Sequence, residues 1–184
     1  MYGSVRKSLL LHCCCAPCAT HPIMLLRDGF DITIFFYNPN IYPDNEYRLR
    51  KREIEHLAEK WGVPIIVGDY DSERWFDSVR GHEQDREGGT RCEICYRIRL
   101  EMTAEVAVKE GIEIFTTTLS ISPHKKAEII NRIGEEVARR KGIVFMAADF
   151  KKKNGFKISC MLSSKEGLYR QKYCGCKYSM RKDT

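Results

Sequence analysis

With 184 residues, 43% of them apolar, the chain has the length of one domain and enough hydrophobic side chains to bury a core without a metal staple. Its 31 Lys and Arg outnumber 25 Asp and Glu for a net charge of +6, and no apolar stretch approaches the ~20 residues of a membrane helix, so a helical membrane protein is excluded. The apolar run Leu9–Leu11 is too short for a secretory signal, which makes the cytoplasm the expected location and reduced thiols the expected state of its nine cysteines.

Taken along the chain, Ser8–His12 is a predicted buried strand that runs into the first of three cysteine knots, His12-Cys13-Cys14-Cys15-Ala16-Pro17-Cys18. A helix is predicted from Pro17 to Arg27, closed by Asp28-Gly29. Asp31–Tyr37 is β-rich and stops at Asn38-Pro39-Asn40. Asp44–Lys60 reads as a helix, with Ile54, Leu57, Ala58 and Trp61 on one stripe and Gly62 at its end. Val63–Val67 is the next strand, Ser72–Arg80 a short helix, and Gly81–Gly89 a polar, flexible loop. The second knot, Cys92-Glu93-Ile94-Cys95, opens a helix that reaches Lys109. Ile112–Thr118 is a strand, Ser122-Pro123 opens the helix Lys125–Arg140, and Ile143–Ala148 is the last strand. A final short helix is predicted over Ser163–Gln171, with Ser163 as cap and Glu166 three residues on. The third knot, Cys174-Gly175-Cys176, follows it; Cys160 stands alone.

Strands alternating with helices predict an α/β fold: one domain over residues 1–184, a doubly wound, Rossmann-like (HUP-like) parallel sheet of about five strands. Ligands of such sheets bind beyond the C-terminal strand ends, where the first knot, Asn38-Pro39-Asn40 and Thr116-Thr117-Thr118-Leu119-Ser120 converge. No dinucleotide fingerprint and no phosphate-binding Gly-rich loop with its Lys is present, so the chemistry rests on the cysteines. Cys92-x-x-Cys95 at a helix start offers two thiolates to one centre, favoured by the positive helix end, and Cys14, Cys15 and Cys18 can supply more. Four thiolates suit zinc or an iron–sulfur cluster; placement in the crevice favours a working cluster. A disulfide across Cys174-Gly175-Cys176 would close a tight, easily reduced loop, which suits a redox-active pair, with further metal ligation as the alternative.

Residues 151–184 hold ten Lys and Arg against Glu166 and Asp183, a charge of +8, while the other 150 residues sum to −2. Interleaved with Phe156, Tyr169, Tyr173 and Tyr178, this segment suits a polyanion carrying bases, and Lys151, Lys152, Lys153, Lys157, Arg170 and Lys172 are candidate nucleic-acid contacts.

Leu11-His12 through Cys18, the segment Thr90–Leu100 with its Cys92 and Cys95, the run Thr116–Pro123, and Tyr169-Arg170-Gln171-Lys172-Tyr173-Cys174-Gly175-Cys176 together closely resemble the QueH-type epoxyqueuosine reductases, from about Ser8 to Ser179. The resemblance implies a cobalamin-independent iron–sulfur oxidoreductase that deoxygenates epoxyqueuosine to queuosine at the tRNA wobble position, the last step of that modification. It implies a 4Fe-4S cluster on Cys14, Cys15, Cys92 and Cys95, a redox-active disulfide at Cys174 and Cys176, and an unidentified electron donor. Cys13 stands where the family pattern is usually not cysteine. Cys18 matches the motif and joins the candidate catalytic residues; with His12 and Asp69 it could hold an additional iron ion or deliver protons. The alternatives are a thiol–disulfide oxidoreductase using Cys15 and Cys18, a tRNA sulfur-transfer enzyme of similar fold, which would need an ATP-binding Ser-Gly-Gly loop where this chain has cysteines, and a zinc-dependent RNA-binding module.

Overall fold

A computed structural model describes residues 6–180; Arg181, Lys182 and Asp183 of the basic segment lie outside them. Five strands, β1 (Lys7–His12), β2 (Phe30–Phe36), β3 (Ile65–Val67), β4 (Ile114–Thr117) and β5 (Val144–Phe145), form one sheet in the order β3-β2-β1-β4-β5, with every pairing parallel. The order reverses between β1 and β4, and there the crevice of a doubly wound sheet opens at the C-terminal strand ends.

Alternation along the strands sends side chains to two cores. Leu9 and Leu11 of β1 and Ile32, Ile34 and Phe36 of β2 pack under α1 (Ala16–Leu26) and α2 (Asp44–Trp61). Leu10, Phe35, Phe115 and Phe145 pack under α3 (Ser72–Ser78), α4 (Thr90–Lys109) and α5 (Ala127–Lys141). Both long helices that precede a strand of the sheet's outer half end on a left-handed glycine, Gly62 at φ 64° after α2, as the sequence predicts, and Gly142 at φ 69° after α5. No helix of the described residues is long and apolar enough to cross a membrane.

Three expectations are corrected. The last helix, α6, spans Gly155–Lys165 rather than Ser163–Gln171; Ser163 lies inside it and donates to the Cys160 carbonyl, 3.0 Å away. Docking on α1 outweighs the local cap signal: Ser159 Oγ reaches the Pro17 carbonyl at 2.5 Å and Thr20 Oγ1 at 3.2 Å. The Gly81–Gly89 loop is not free, because the buried Arg91 donates to the carbonyls of His82, Glu83 and Asp85. Strand β4 ends at Thr117 and turns directly into a 3-10 helix, Thr118–Ile121, while β5 holds only two residues.

Candidate metal centre and its cavity

Strand β1 delivers the first cysteine knot to the switch point. Its alternation continues one residue past the strand, so Cys13 is fully buried in the α1/α2 core and donates to the Leu11 carbonyl at 3.5 Å. Cys14 emerges on the other side, its amide donating to Thr118 Oγ1 at 3.4 Å. Cys15 caps α1 and Cys18 sits in its first turn, behind Pro17. The thiol sulfurs of Cys14, Cys15 and Cys18 lie within 4.8 Å of one another, the spacing of ligands to one metal centre.

The neighbours fix this geometry. His12 Nε2–H donates to the Tyr37 carbonyl at 3.1 Å, which leaves Nδ1 to accept from Thr117 Oγ1 at 2.8 Å. Burial, with Arg99 adding, lowers His12 to about 3, so it stays neutral with both nitrogens used: a joint between β1, β2 and β4. Asn38 Nδ2 donates to the Cys13 carbonyl at 2.9 Å. The loops after β1, β2 and β4 therefore meet here as the sequence implies.

Hydrogen bonds from the Cys15 and Cys18 thiols hold Cys14 well below the usual thiol range against the effect of burial, and Lys125 and Arg99 add to this. Burial and the Cys14 thiolate push Cys15 up to about 12. Cys14 is thus the most acidic of the three. Gln171 Nε2 donates to Cys15 Sγ at 3.0 Å.

The second set comprises Cys92 and Cys95 on the first turns of α4, beside Cys174 and Cys176. Burial raises Cys92 and pushes Cys95 up to about 11, and the nearness of Cys174 and Cys176 acts in the same direction on both. The helix end does not outweigh burial here, so without metal these two are thiols rather than thiolates. Cys92 Sγ accepts from the Gly88 amide at 3.2 Å. Trp75, fully buried, places its Nε1 beside the Cys95 thiol without meeting hydrogen-bond geometry. None of the nine cysteines is in a disulfide, Cys174 and Cys176 included.

Two cations connect the sets. Burial disfavours the charge of Arg99, and Cys95, Cys14 and Cys174 outweigh it; burial likewise disfavours that of Lys125, and Cys174 and Cys14 outweigh it. The composition of a buried centre can be tested by its leftover donors. Arg99 Nε and Nη2, Asn40 Nδ2 and Trp75 Nε1 are all buried without a partner among the described residues. Surplus N–H groups around reduced thiols fit an anionic group with sulfur acceptors, and the ligand types present fit iron–sulfur or zinc.

The third knot is held from α2. Arg50, 1% exposed, donates to Glu46 Oε1 at 2.7 Å and to the carbonyls of Cys174 and Tyr173 at 3.1 and 3.3 Å. Gly175 sits at φ 124°, and a Cβ there would lie 3.0 Å from Arg50 Nη1. Arg50, Arg99, Lys125 and Gln171 escaped the sequence reading. Arg99 alone left a signal, being one turn beyond Cys95 on the same helical face.

Above the thiols lies a cavity of about 240 Å³, lined by Cys14, Cys18, Lys125, Phe156, Arg170 and Cys174, among others. Lys172 and His124 line it too, and Glu87 is its one carboxylate. Arg170 stacks over the Phe156 ring at 5.3 Å. Of the candidate phosphate contacts, Lys152, Lys153, Lys157, Arg170 and Lys172 are exposed. Lys151 is engaged instead: its Nζ pairs with Asp149 at 2.9 Å and donates to the Lys125 carbonyl at 3.2 Å.

Comparison with known proteins bears on this site. The family model described as "Epoxyqueuosine reductase QueH" matches residues 9–182. The protein of that name from Histophilus somni is 42% identical over 178 residues, covering 96% of this chain and 73% of the relative. The one from Thermotoga maritima is 37% identical over 176 residues, covering 94% and 90%. Among solved structures, the U34-tRNA thiolase NcsA from Methanococcus maripaludis with its [4Fe-4S] cluster superposes with a TM-score of 0.60 at 12% identity, covering 96% of this chain and 62% of that one. A predicted subunit of a tRNA methyltransferase from Methanocaldococcus jannaschii gives 0.55 at 15% identity, covering 85% and 74%. These two likenesses show the Rossmann-like α/β fold.

Proposed function

Because the chain belongs to the epoxyqueuosine reductase QueH family, we propose that it removes the epoxide oxygen of epoxyqueuosine in tRNA to give queuosine. The reaction breaks both C–O bonds, forms a C=C bond, consumes two electrons and two protons and releases water. The observation that carries this reading is one cavity lined by Cys14, Cys18 and Cys174 together with cations and aromatic rings. A buried reducing centre below and a site for an anionic, base-bearing substrate above are what the reaction requires.

In this reading Cys14, Cys15, Cys92 and Cys95 hold a 4Fe-4S cluster, drawing two thiolates from each set. Such a cluster supplies electrons one at a time when bound. Cys18 remains as a spare donor next to Cys14, able to hold an additional iron ion. Cys174 and Cys176 store two electrons as a dithiol and lose them as a disulfide. Lys125 presents an ammonium at the cavity floor, where it stabilises negative charge on the departing oxygen. Phe156 and Arg170 offer a stacking face for the extruded nucleotide, and Lys152, Lys153, Lys157 and Lys172 meet phosphates. The electron donor is a separate cellular reductant, and a tRNA substrate places the enzyme in the cytoplasm.

The test is anaerobic iron and sulfide analysis coupled to an assay on epoxyqueuosine-containing tRNA. Protein with bound iron and sulfide should convert the tRNA when given a reductant. Full conversion by iron-free protein overturns the cluster; a loaded protein that leaves the tRNA unchanged overturns the activity.

A further inference from the structure

Arg99 is 1% exposed and projects from α4 one turn past Cys95 and two past Cys92. Asn40 Oδ1 accepts from its Nη1 at 2.9 Å and fixes the plane of the guanidinium. Among the described residues Nε and Nη2 have no partner, so three of its five N–H groups are unused there. No carboxylate lies within ion-pair distance of it among the described residues. A buried, unpaired guanidinium is costly, and a residue serving only as packing would be an apolar one. Cys95, Cys14, Cys174 and Tyr96 all lie near enough to Arg99 that each, once ionised, would favour its charge, and the three cysteines come from both thiol sets. The cation therefore stands between the thiol sets, whichever four of them bind metal.

We infer that Arg99 is a positioning residue for the metal centre: its free Nε–H and Nη2–H groups face the anionic iron–sulfur group and its charge raises that group's reduction potential. This rests on the cluster reading above. A fixed positive charge favours the more negative, reduced state, and hydrogen bonds to cluster sulfurs act in the same direction. Removing both lowers the potential. A lysine keeps the charge and loses the planar fork, so it gives the smaller change.

Redox titration of the anaerobic, cluster-loaded protein, followed by electron paramagnetic resonance, compares the parent with Arg99→Gln and Arg99→Lys. The expected result is a lower midpoint potential in the Gln variant, by at least the tenfold change in one-electron equilibrium constant that equals about 59 mV, and a smaller drop in the Lys variant. Iron and sulfide content sets the baseline for each. A second measurement needs no variant that removes the charge. With 15N-labelled arginine, pulsed resonance of the reduced parent should show a 15N coupling that Arg99→Lys loses, and this decides the matter if the Gln protein does not load or fold. Equal potentials at full loading, or a 15N spectrum that Arg99→Lys leaves unchanged, overturn the inference alone. A parent protein free of iron and sulfide overturns the cluster reading and this inference with it.

Discussion

Three adjacent cysteines have three fates, and the strand period decides them. Cys13 follows Leu9 and Leu11 into a core, Cys14 turns to the switch point with its thiol made more acidic by its neighbours, and Cys15 caps a helix with its thiol pushed up to about 12. Cys13→Ala should therefore keep bound iron and turnover, at a cost of about 1 kcal/mol in packing, whereas Cys14→Ser should lose iron. Metal analysis of the two proteins side by side checks this, and equal iron in both would sink the assignment. Cys92→Ser and Cys95→Ser should each lose both iron–sulfur and turnover, since each removes a thiolate from a shared centre. A Cys92→Ser protein with full iron, full sulfide and normal turnover would end that ligand set. The thiols were legible in the sequence because cysteine spacing is written in the chain. Their compensating cations were not: Arg50 and Arg99 look like ordinary helix-surface charges until the fold buries them at 1% exposure.

At the scale of elements, α2 and the third knot form one unit. Arg50 spans from Glu46 to two carbonyls of the knot, the Tyr42 amide donates to the Gly175 carbonyl at 2.8 Å, and Tyr169 Oη donates to Glu46 at 3.0 Å. Arg50→Ala removes the ion-pair partner of the mostly buried Glu46, which keeps only Tyr169 Oη, and takes the donor from two carbonyls, a loss of about 3 kcal/mol. Chemical denaturation would show it, and a midpoint equal to the parent's would refute the clamp. The Cys174→Ser/Cys176→Ser double variant should keep the cluster but lose multiple turnover; loss of the cluster instead makes the pair ligands. Of the elements, the strands and α1, α2, α4 and α5 were legible because period and caps agree. Helix α6 was not. It starts at Gly155, behind Lys153 and Asn154 at φ 51° and 63°, a start that local propensity reads as a break. It forms there because Gly155 presses on His21 and the Phe150 carbonyl, where a Cβ has no room, and Ser159 docks on α1.

For the whole molecule, the topology collects the excess charge at one edge. The exposed lysines 152, 153 and 157 stand on or next to α6, and Phe156 of that helix lines the cavity. Lys152→Ala/Lys153→Ala should weaken tRNA binding and reduce the slope of log affinity against log salt by about one for each phosphate no longer neutralised, with iron content unchanged. Affinity and slope equal to the parent's would mean a merely solvated loop. Lys151→Ala acts differently, since its ammonium serves Asp149 and the Lys125 backbone; it should disturb the cavity floor more than the salt slope. The chain's two tryptophans lie apart: Trp61 ends α2 and lines a cavity at the N-terminal side of the sheet, while Trp75 is buried beside Cys95. An iron–sulfur chromophore absorbs where indole emits, so the proposed cluster would make Trp75 a built-in optical gauge of loading. Emission should fall as iron and sulfide enter the apoprotein, almost completely in Trp61→Phe and only weakly in Trp75→Phe, and cluster assembly could be timed by light without removing a sample.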